Sequence, residues 1–440
     1  MPITYDPDTN TIVITGTKNG NPYSFEDIWQ ADVNNGWGKF LKLSEGVYKT
    51  TAKLQFGDGI TETLFEEKRT TLVCENLGTK DADVIIVFKA KCKAQFGVCR
   101  DVNGKKVVEN GVDFQFRETT YNTCRVIHDL NSAVKYYACK FKLLKECKRV
   151  DIEGYIVDMI GCETETLLES LINTHLVNTL ITGSSGHLSM PRDVIIDNVT
   201  IITTTDRALW ISNVTLTVKR LVTITTDLFM YANRLQSPNV VKLINCKPHN
   251  WVVKWLLKEN ETSGELHRIY TVVFKVTDIN GNPLSNRTVK VFDKNGDKIA
   301  EVTTDSNGLT PEIEILYAKL TNPYSDGQWH TFDEDDWEYF NPYTVEVWYG
   351  SELEYKGIIT ELDVDSTFIH ITVKPSSLTL DDVVNKVEYV RKLIGNRWKI
   401  ENNQLIIYDD DNETPIRVFD LFDKYGNPTE VNVYDRKPKT

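Results

Sequence analysis

The sequence predicts a mainly β protein: a right-handed parallel β-helix, then an antiparallel β-sandwich, then a small α+β unit. Three observations carry this reading. Residues 194–202, 209–218 and 221–226 are short runs rich in β-branched side chains, broken by Asn or Asp, which is the signature of strands. Their cadence between residues 121 and 255 leaves little room for crossover helices. The cysteines supply a period. Cys74, Cys99, Cys124 and Cys147 are spaced by 25, 25 and 23 residues, and Cys139 and Cys162 repeat the step of 23 in a second phase. A period in the low twenties is one turn of a three-stranded coil. A large antiparallel β-sandwich is the alternative.

The bulk properties narrow the class. The 440 residues hold two or three domains, and 41% hydrophobic with 26% charged residues is ordinary globular composition. A net charge of −13 and the lack of any basic run argue against nucleic acid as a partner. The first residues show no secretory signal, and no apolar run reaches membrane-spanning length, so no membrane insertion is expected. The cysteines then read as reduced core residues. Cys92 and Cys99 give a weak zinc signal without a second close pair.

Taken in order, residues 3–16 predict a hairpin. Ser24 and Asp27 form a capping box for a helix that places Phe25, Ile28, Trp29 and Val33 on one face and stops at residues 34–36. A short amphipathic helix there suits the cap of an open strand stack. Strands follow at residues 47–56, 71–73 and 84–88, with Gly57-Asp58-Gly59 as a tight turn. Residues 24–29, 36–38 and 56–59 together resemble the opening of a group of β-helix proteins from viruses of bacteria and archaea. That resemblance spans about the first 70 residues and implies no chemistry. Residues 164–172 fit either a helix or a strand carrying a leucine stack.

The β-helix is assigned residues 1–269. From Tyr270 the texture becomes strand, Asn-Gly turn, strand. With Thr304, Asp305 and Gly308 at the turn before the next strand, residues 270–375 resemble immunoglobulin-like modules related to the carboxypeptidase regulatory domain. The resemblance implies a spacer or binding platform. Within it lies an acidic aromatic loop, residues 326–340. Asp333, Glu334, Asp335 and Asp336 could supply oxygen ligands to a hard cation, and Trp329, Trp337, Tyr339 and Phe340 could form a glycan-contacting surface. The plainer reading folds the aromatics onto the sandwich edge.

After a hinge at residues 375–377, residues 376–440 form the last unit. Thr379 and Asp382 cap a helix over 380–394, closed by Gly395 and Asn396, and strands follow at 397–400, 404–408, 416–420 and 430–434. Residues 396–411 resemble a small terminal domain recurrent in phage structural proteins. A unit of about 60 residues is marginal alone, so packing against a copy is expected.

Candidate chemistry is sparse. Asp151 and Glu153, two apart on one strand, share an outward face with Asp158 near, as a glycosidase carboxylate pair would. Asp197 and Asp206 offer less, and His128 and Asp129 point to opposite sides of a strand. The sequons at Asn198, Asn213, Asn260, Asn286 and Asn412 read as turn residues. No catalytic motif stands out and no cofactor is implied. The expectation is a virion structural protein, assembled in the host cytoplasm: a tail fibre, spike or capsid-decorating component. Its partners would be copies of itself in a trimer or ring, other virion proteins, and a glycan or protein of the host surface. A polysaccharide-degrading tailspike and a cellular adhesin or filament subunit are the rivals.

Overall fold

A computed structural model describes residues 2–75, 83–117, 124–144, 147, 149–183, 188–189, 191–203, 207–224, 228–364, 368–373, 387–392, 397–411, 413–422, 427–429 and 435–438. The molecule is mainly β, and from Thr11 to Ile269 its strands stack as three parallel ladders. Face 1 runs from Thr11–Ile14 to Val253–Leu256 and face 2 from Thr63–Glu67 to Glu265–Thr277. Face 3 runs from Val47–Thr50 to Val222–Ile224. Successive coils therefore place like positions one strand spacing apart, about 4.8 Å.

That spacing builds the core. Phe56, Phe88 and His128 are register partners on face 1, and their rings stack at 4.8 and 4.9 Å with planes 11° apart. Phe96 stacks on Tyr136 at 5.3 Å, and Phe114 on Phe141 at 5.0 Å. Beyond them the interior turns aliphatic, with Leu176, Ile196, Val218 and Leu243 in one register column.

The cysteine period needs correction. Cys74 lies on face 3 and Cys124 on face 1, while Cys99 sits in the hairpin Val98–Val102 and Lys105–Glu109, outside the three ladders. That series of four does not form one column. The second phase does: Cys139 and Cys162 precede consecutive face-3 strands, Glu163 N–H donates to Cys139 O and Leu180 N–H to Cys162 O, and Cys246 later takes the same place. Coil length is uneven. Leu176 pairs with Ile196, Ile196 with Val218 and Val218 with Leu243, steps of 20, 22 and 25 residues.

The corners explain the asparagines. Ala138, Gly161, Asn178, Asn198, Arg220 and Asn245 occupy one corner between faces 2 and 3, all with positive φ. Asn tolerates that region because its side chain hydrogen-bonds locally, and the Asn198 amide reaches Asn178 Oδ1 at 2.7 Å. Asn213, Asn260 and Asn286 also have positive φ, so these sequons are backbone devices; Asn412 lies outside the described residues.

The helix Phe25–Asn35 forms with its capping box and a left-handed Gly36. Phe25 packs within 5.9 Å of the rings of Phe40, Tyr48 and Phe65, and Glu67 accepts its backbone N–H at 2.7 Å. Burial holds the Glu67 carboxyl above its usual range. The buried face is Phe25, Ile28 and Asp32, whereas Val33 is 56% exposed. Asp32 sets this rotation by accepting the N–H groups of Gly38, Lys39 and Phe40 at 2.9, 2.7 and 2.7 Å. At Asp58 the carboxylate accepts from Ile60 and Thr61 N–H, making the expected tight turn. Residues 164–172 resolve as strand, Leu167–Ile172, with Leu167, Leu168 and Leu171 buried.

The 13-residue strand Glu265–Thr277 crosses the expected boundary at residue 269 without a break. Its first half pairs in parallel with Val240–Ile244, and its second half with Phe368–Thr372. Ile313–Leu320 pairs antiparallel beside it, and Trp329–Phe332 antiparallel on Val253–Leu256. A second antiparallel sheet orders Lys298–Thr303, Thr288–Phe292, Tyr343–Tyr349 and Glu352–Ile359. Val289, Val291, Val345 and Val347 of this sheet are buried, as are Phe274 and Ile315 of the first. Asp305 accepts from Asn307 and Leu309 N–H, and Gly308 takes φ +72°, forming the turn that the residue pattern predicted.

In the last unit residues 387–392 are helical. Trp398–Glu401, Gln404–Tyr408, Pro415–Phe422 and Asp435–Pro438 form an antiparallel sheet. The hinge at 375–377, the caps at Thr379, Asp382, Gly395 and Asn396, and residues 430–434 lie outside the described residues.

Candidate functional site

The long strand Val150–Ile160 carries both clusters of ionisable groups worth considering. It pairs on face 1 through Asp151 and Glu153 and on face 2 through Asp158, turning between them at Gly154. Gly154 has φ +95°, and a Cβ there would stand 2.2 Å from His128 O. Only glycine fits that bend.

On face 1, Val150 and Ile152 point into the core and Asp151 and Glu153 point out. Glu153 is the register partner of Glu169 on the next coil. Ligand-competent oxygens of Asp151, Glu153 and Glu169 lie within 4.8 Å of one another, tighter than the separation expected from the strand alone. Two arginines hold them. Arg125 forks Glu153, and Arg149 forks Asp151 at 2.6 and 3.0 Å while reaching Glu169 at 3.5 Å. Asp151 is only 3% exposed. Burial raises its carboxyl, with Arg149 opposing, and burial and the neighbouring Asp151 and Glu153 raise Glu169. A raised carboxyl beside an arginine-held carboxylate is an acid and base pair in form, and oxygens within 4.8 Å of one another are near the ~5 Å separation of a retaining glycosidase. The guanidinium groups already satisfy the carboxylates.

On face 2, Asp158 Oδ2 accepts from the Tyr137 hydroxyl at 2.6 Å and Oδ1 lies 3.0 Å from His175 Nδ1. Lys106 of the hairpin stands 3.8 Å from the same oxygen. In neutral His175 the carboxylate holds the proton on Nδ1, so Nε2 is the basic nitrogen; the side chain is 46% exposed. The sequence reading placed Asp158 near the pair and did not single out His175. The two residues are 17 apart, and only the coil register makes them neighbours.

The acidic aromatic loop turns inward. Trp337 is 4% exposed against Trp251, Phe332 packs near Trp255, and Tyr339 packs on Tyr317. Trp329 keeps 37% exposure beside Tyr231. Asp333 and Asp336 form a capping box around the short helix Glu334–Asp336, and Asp333 also accepts from Asp335 N–H. Their carboxylates serve the local turn, and among the described residues they do not converge with a third carboxylate as the face-1 cluster does. Cys92 is buried on face 2, where burial pushes its thiol up to about 12, while Cys99 sits in the hairpin outside the three ladders. Asp197 is forked by Arg220 at 2.7 Å; Asp206 lies outside the described residues.

Fold and site together define a mainly β protein of stacked parallel strands bearing charge clusters on its outer faces. No protein-family model and no curated protein sequence matches the chain. A crystal structure of a periplasmic alginate epimerase, AlgG, is similar at a TM-score of 0.20 and 6% identity, covering 54% of this chain and 68% of that one. A likeness of that size says nothing about activity.

Proposed function

We propose that the protein is a structural component of a virus particle, a tail fibre, spike or capsid decoration, that self-associates through its last unit and contacts a host surface. The observation that supports this best is the poor burial of that unit. Trp398, Val387 and Val390 are 63%, 62% and 50% exposed, and Leu421 is its one buried apolar side chain among the described residues. The described strands and helix, with one buried apolar side chain among them, gain stability by packing on another copy. The virion setting is drawn from the sequence resemblances. The test is the solution mass of the intact chain and of a chain ending at Ser377. A trimer or ring that becomes monomer on truncation is expected; a monomer in both forms removes self-association.

A polysaccharide-cleaving tailspike is the second reading, favoured by the convergence of Asp151, Glu153 and Glu169. It predicts release of reducing or unsaturated chain ends from an acidic polysaccharide. Glu153→Gln and Glu169→Gln would each abolish release while leaving the oligomer intact. Absence of release by the unaltered protein rejects it.

A further inference from the structure

We propose that the helix of the last unit packs in parallel against the same helix of two further copies, making a three-stranded seam through Val387 and Val390. The inference rests on the self-association reading and gives it a contact, an orientation and a number of chains.

This helix is inverted. A surface helix ordinarily buries its apolar stripe and wets its polar side. Along residues 387–392, at about 3.6 residues per turn, Val387 and Val390 share one side while Glu388 and Lys392 lie on the other. Val387 and Val390 are 62% and 50% exposed, whereas the Lys392 side chain is 24% exposed. The polar side is the one tied to the sheet. Lys392 Nζ lies 2.6 Å from Asp409 Oδ1 and 3.7 Å from Asp410 Oδ2, and Arg391 lies 2.8 Å from Asp410. Both aspartates belong to the hairpin tip between Gln404–Tyr408 and Pro415–Phe422. From the same sheet Arg417 Nε donates to the Tyr389 hydroxyl at 2.6 Å. So held, the helix turns its valines away from the described residues of its own unit.

Spacing names the partner. In the sequence Leu380, Val383, Val387, Val390 and Ile394 follow one another at steps of 3, 4, 3 and 4, across the helix expected over 380–394. That repeat is the a and d seam of a coiled coil, which is complementary to itself. Leu380, Val387 and Ile394 fall at a, and Val383 and Val390 at d. With β-branched residues at d as well as a, three strands are preferred to two. Identical helices around one rotation axis run parallel and meet through the same residues. Glu388 and Asp410 offset the charge of Arg391 at the edge of the seam. About two heptads are short for a free coiled coil, but the sheet fixes each helix by its polar side and so removes part of the cost of ordering it. A lipid surface instead draws on free basic residues beside the apolar stripe, and Arg391 and Lys392 are engaged by Asp409 and Asp410.

The test uses the intact protein, whose mass in solution should be that of three chains. Val390→Cys, treated with a mild oxidant, should link one chain to another through position 390 of both, as mapped by peptide mass, and Glu388→Cys on the opposite side should not. Val387→Ala combined with Val390→Ala should raise the protein concentration at half assembly about a hundredfold. Ile358→Ser, at an exposed site on the sandwich, should leave that concentration unchanged. An unchanged circular dichroism spectrum shows that a variant is folded; were the double alanine variant misfolded, the cysteine link decides. A trimer whose folded double variant assembles as before, or that forms no link at position 390, overturns the seam and leaves self-association standing. A dimer or a tetramer overturns the count. A monomer that floats with phospholipid vesicles assigns the valines to a lipid surface and overturns the proposal, and a monomer that does not float removes the assembly reading with it. The mass of the chain ending at Ser377 judges that reading separately.

Discussion

His128 shows how one residue's chemistry is set by the coil. It is 2% exposed, stacks on Phe88, and places Nδ1 2.8 Å from Glu153 O and Nε2 2.9 Å from the Tyr136 hydroxyl. A carbonyl only accepts, so Nδ1 carries the proton and Nε2 accepts from Tyr136. Burial lowers the imidazole to about 4. The sign follows: below an unfolded value of about 6.5 the unfolded chain takes a proton that the native ring refuses, so stability falls with pH down to about 4, by roughly 3 kcal/mol in all. Asp151 and Glu169, raised by burial, act oppositely, because the native state holds their protons at higher pH than the unfolded chain. Denaturant midpoints at pH 7 and 4.5 separate these contributions. The drop should be smaller in His128→Phe than in the unaltered protein, and equal drops would show that the imidazole is not the acid-sensitive group. The sequence placed His128 and Asp129 on opposite sides of a strand; the strand ends at His128, which is buried, and Asp129 follows it and pairs with Lys89 at 3.3 Å. The partners of His128 were not legible, since Glu153 lies 25 residues away.

Among elements, Val150–Ile160 matters most, because its bend assigns one cluster to face 1 and the other to face 2. Gly154→Ala should cost about 3 kcal/mol or more, since both φ and the close approach to His128 O forbid a side chain. Gly104→Ala, at the tip of the outer hairpin with nothing within 4 Å, pays only for φ, about 1 kcal/mol. Urea midpoints of the two variants check the contrast, and similar losses would contradict the bend. Alternation made the outward pair Asp151 and Glu153 legible. The leucine run at 167–172 was ambiguous because spacing of three and four suits both a helix face and a bulged strand, and its register with Val150–Ile160 indeed shifts between Glu153 and Gly154.

For the whole molecule, the decisive feature is how the parallel stack is closed. The helix Phe25–Asn35 covers aromatic rings near its start, and Ile313–Leu320 and Trp329–Phe332 continue its last coils antiparallel. Open strand edges otherwise invite pairing with other chains. The chain ending at Ser377 keeps both closures, so its thermal midpoint should stay within a few degrees of the intact chain even where its mass falls; a large loss of stability would place the last unit inside the fold of the rest. By itself the sequence determined what is local: strand alternation, the capping box at Ser24, the Asp58 and Asp305 turns and the asparagine corners, each resolved within about five residues. Tertiary structure decided what is distant: which cysteines stack, that Glu153 meets Glu169 and Asp158 meets His175, and that Trp337 turns inward. The physical reason is register. Coils of uneven length, 17 residues from Asp158 to His175 and 25 from Val218 to Leu243, interrupted by a hairpin, bring side chains together according to how the interior packs, and no short-range pattern in the chain records that choice.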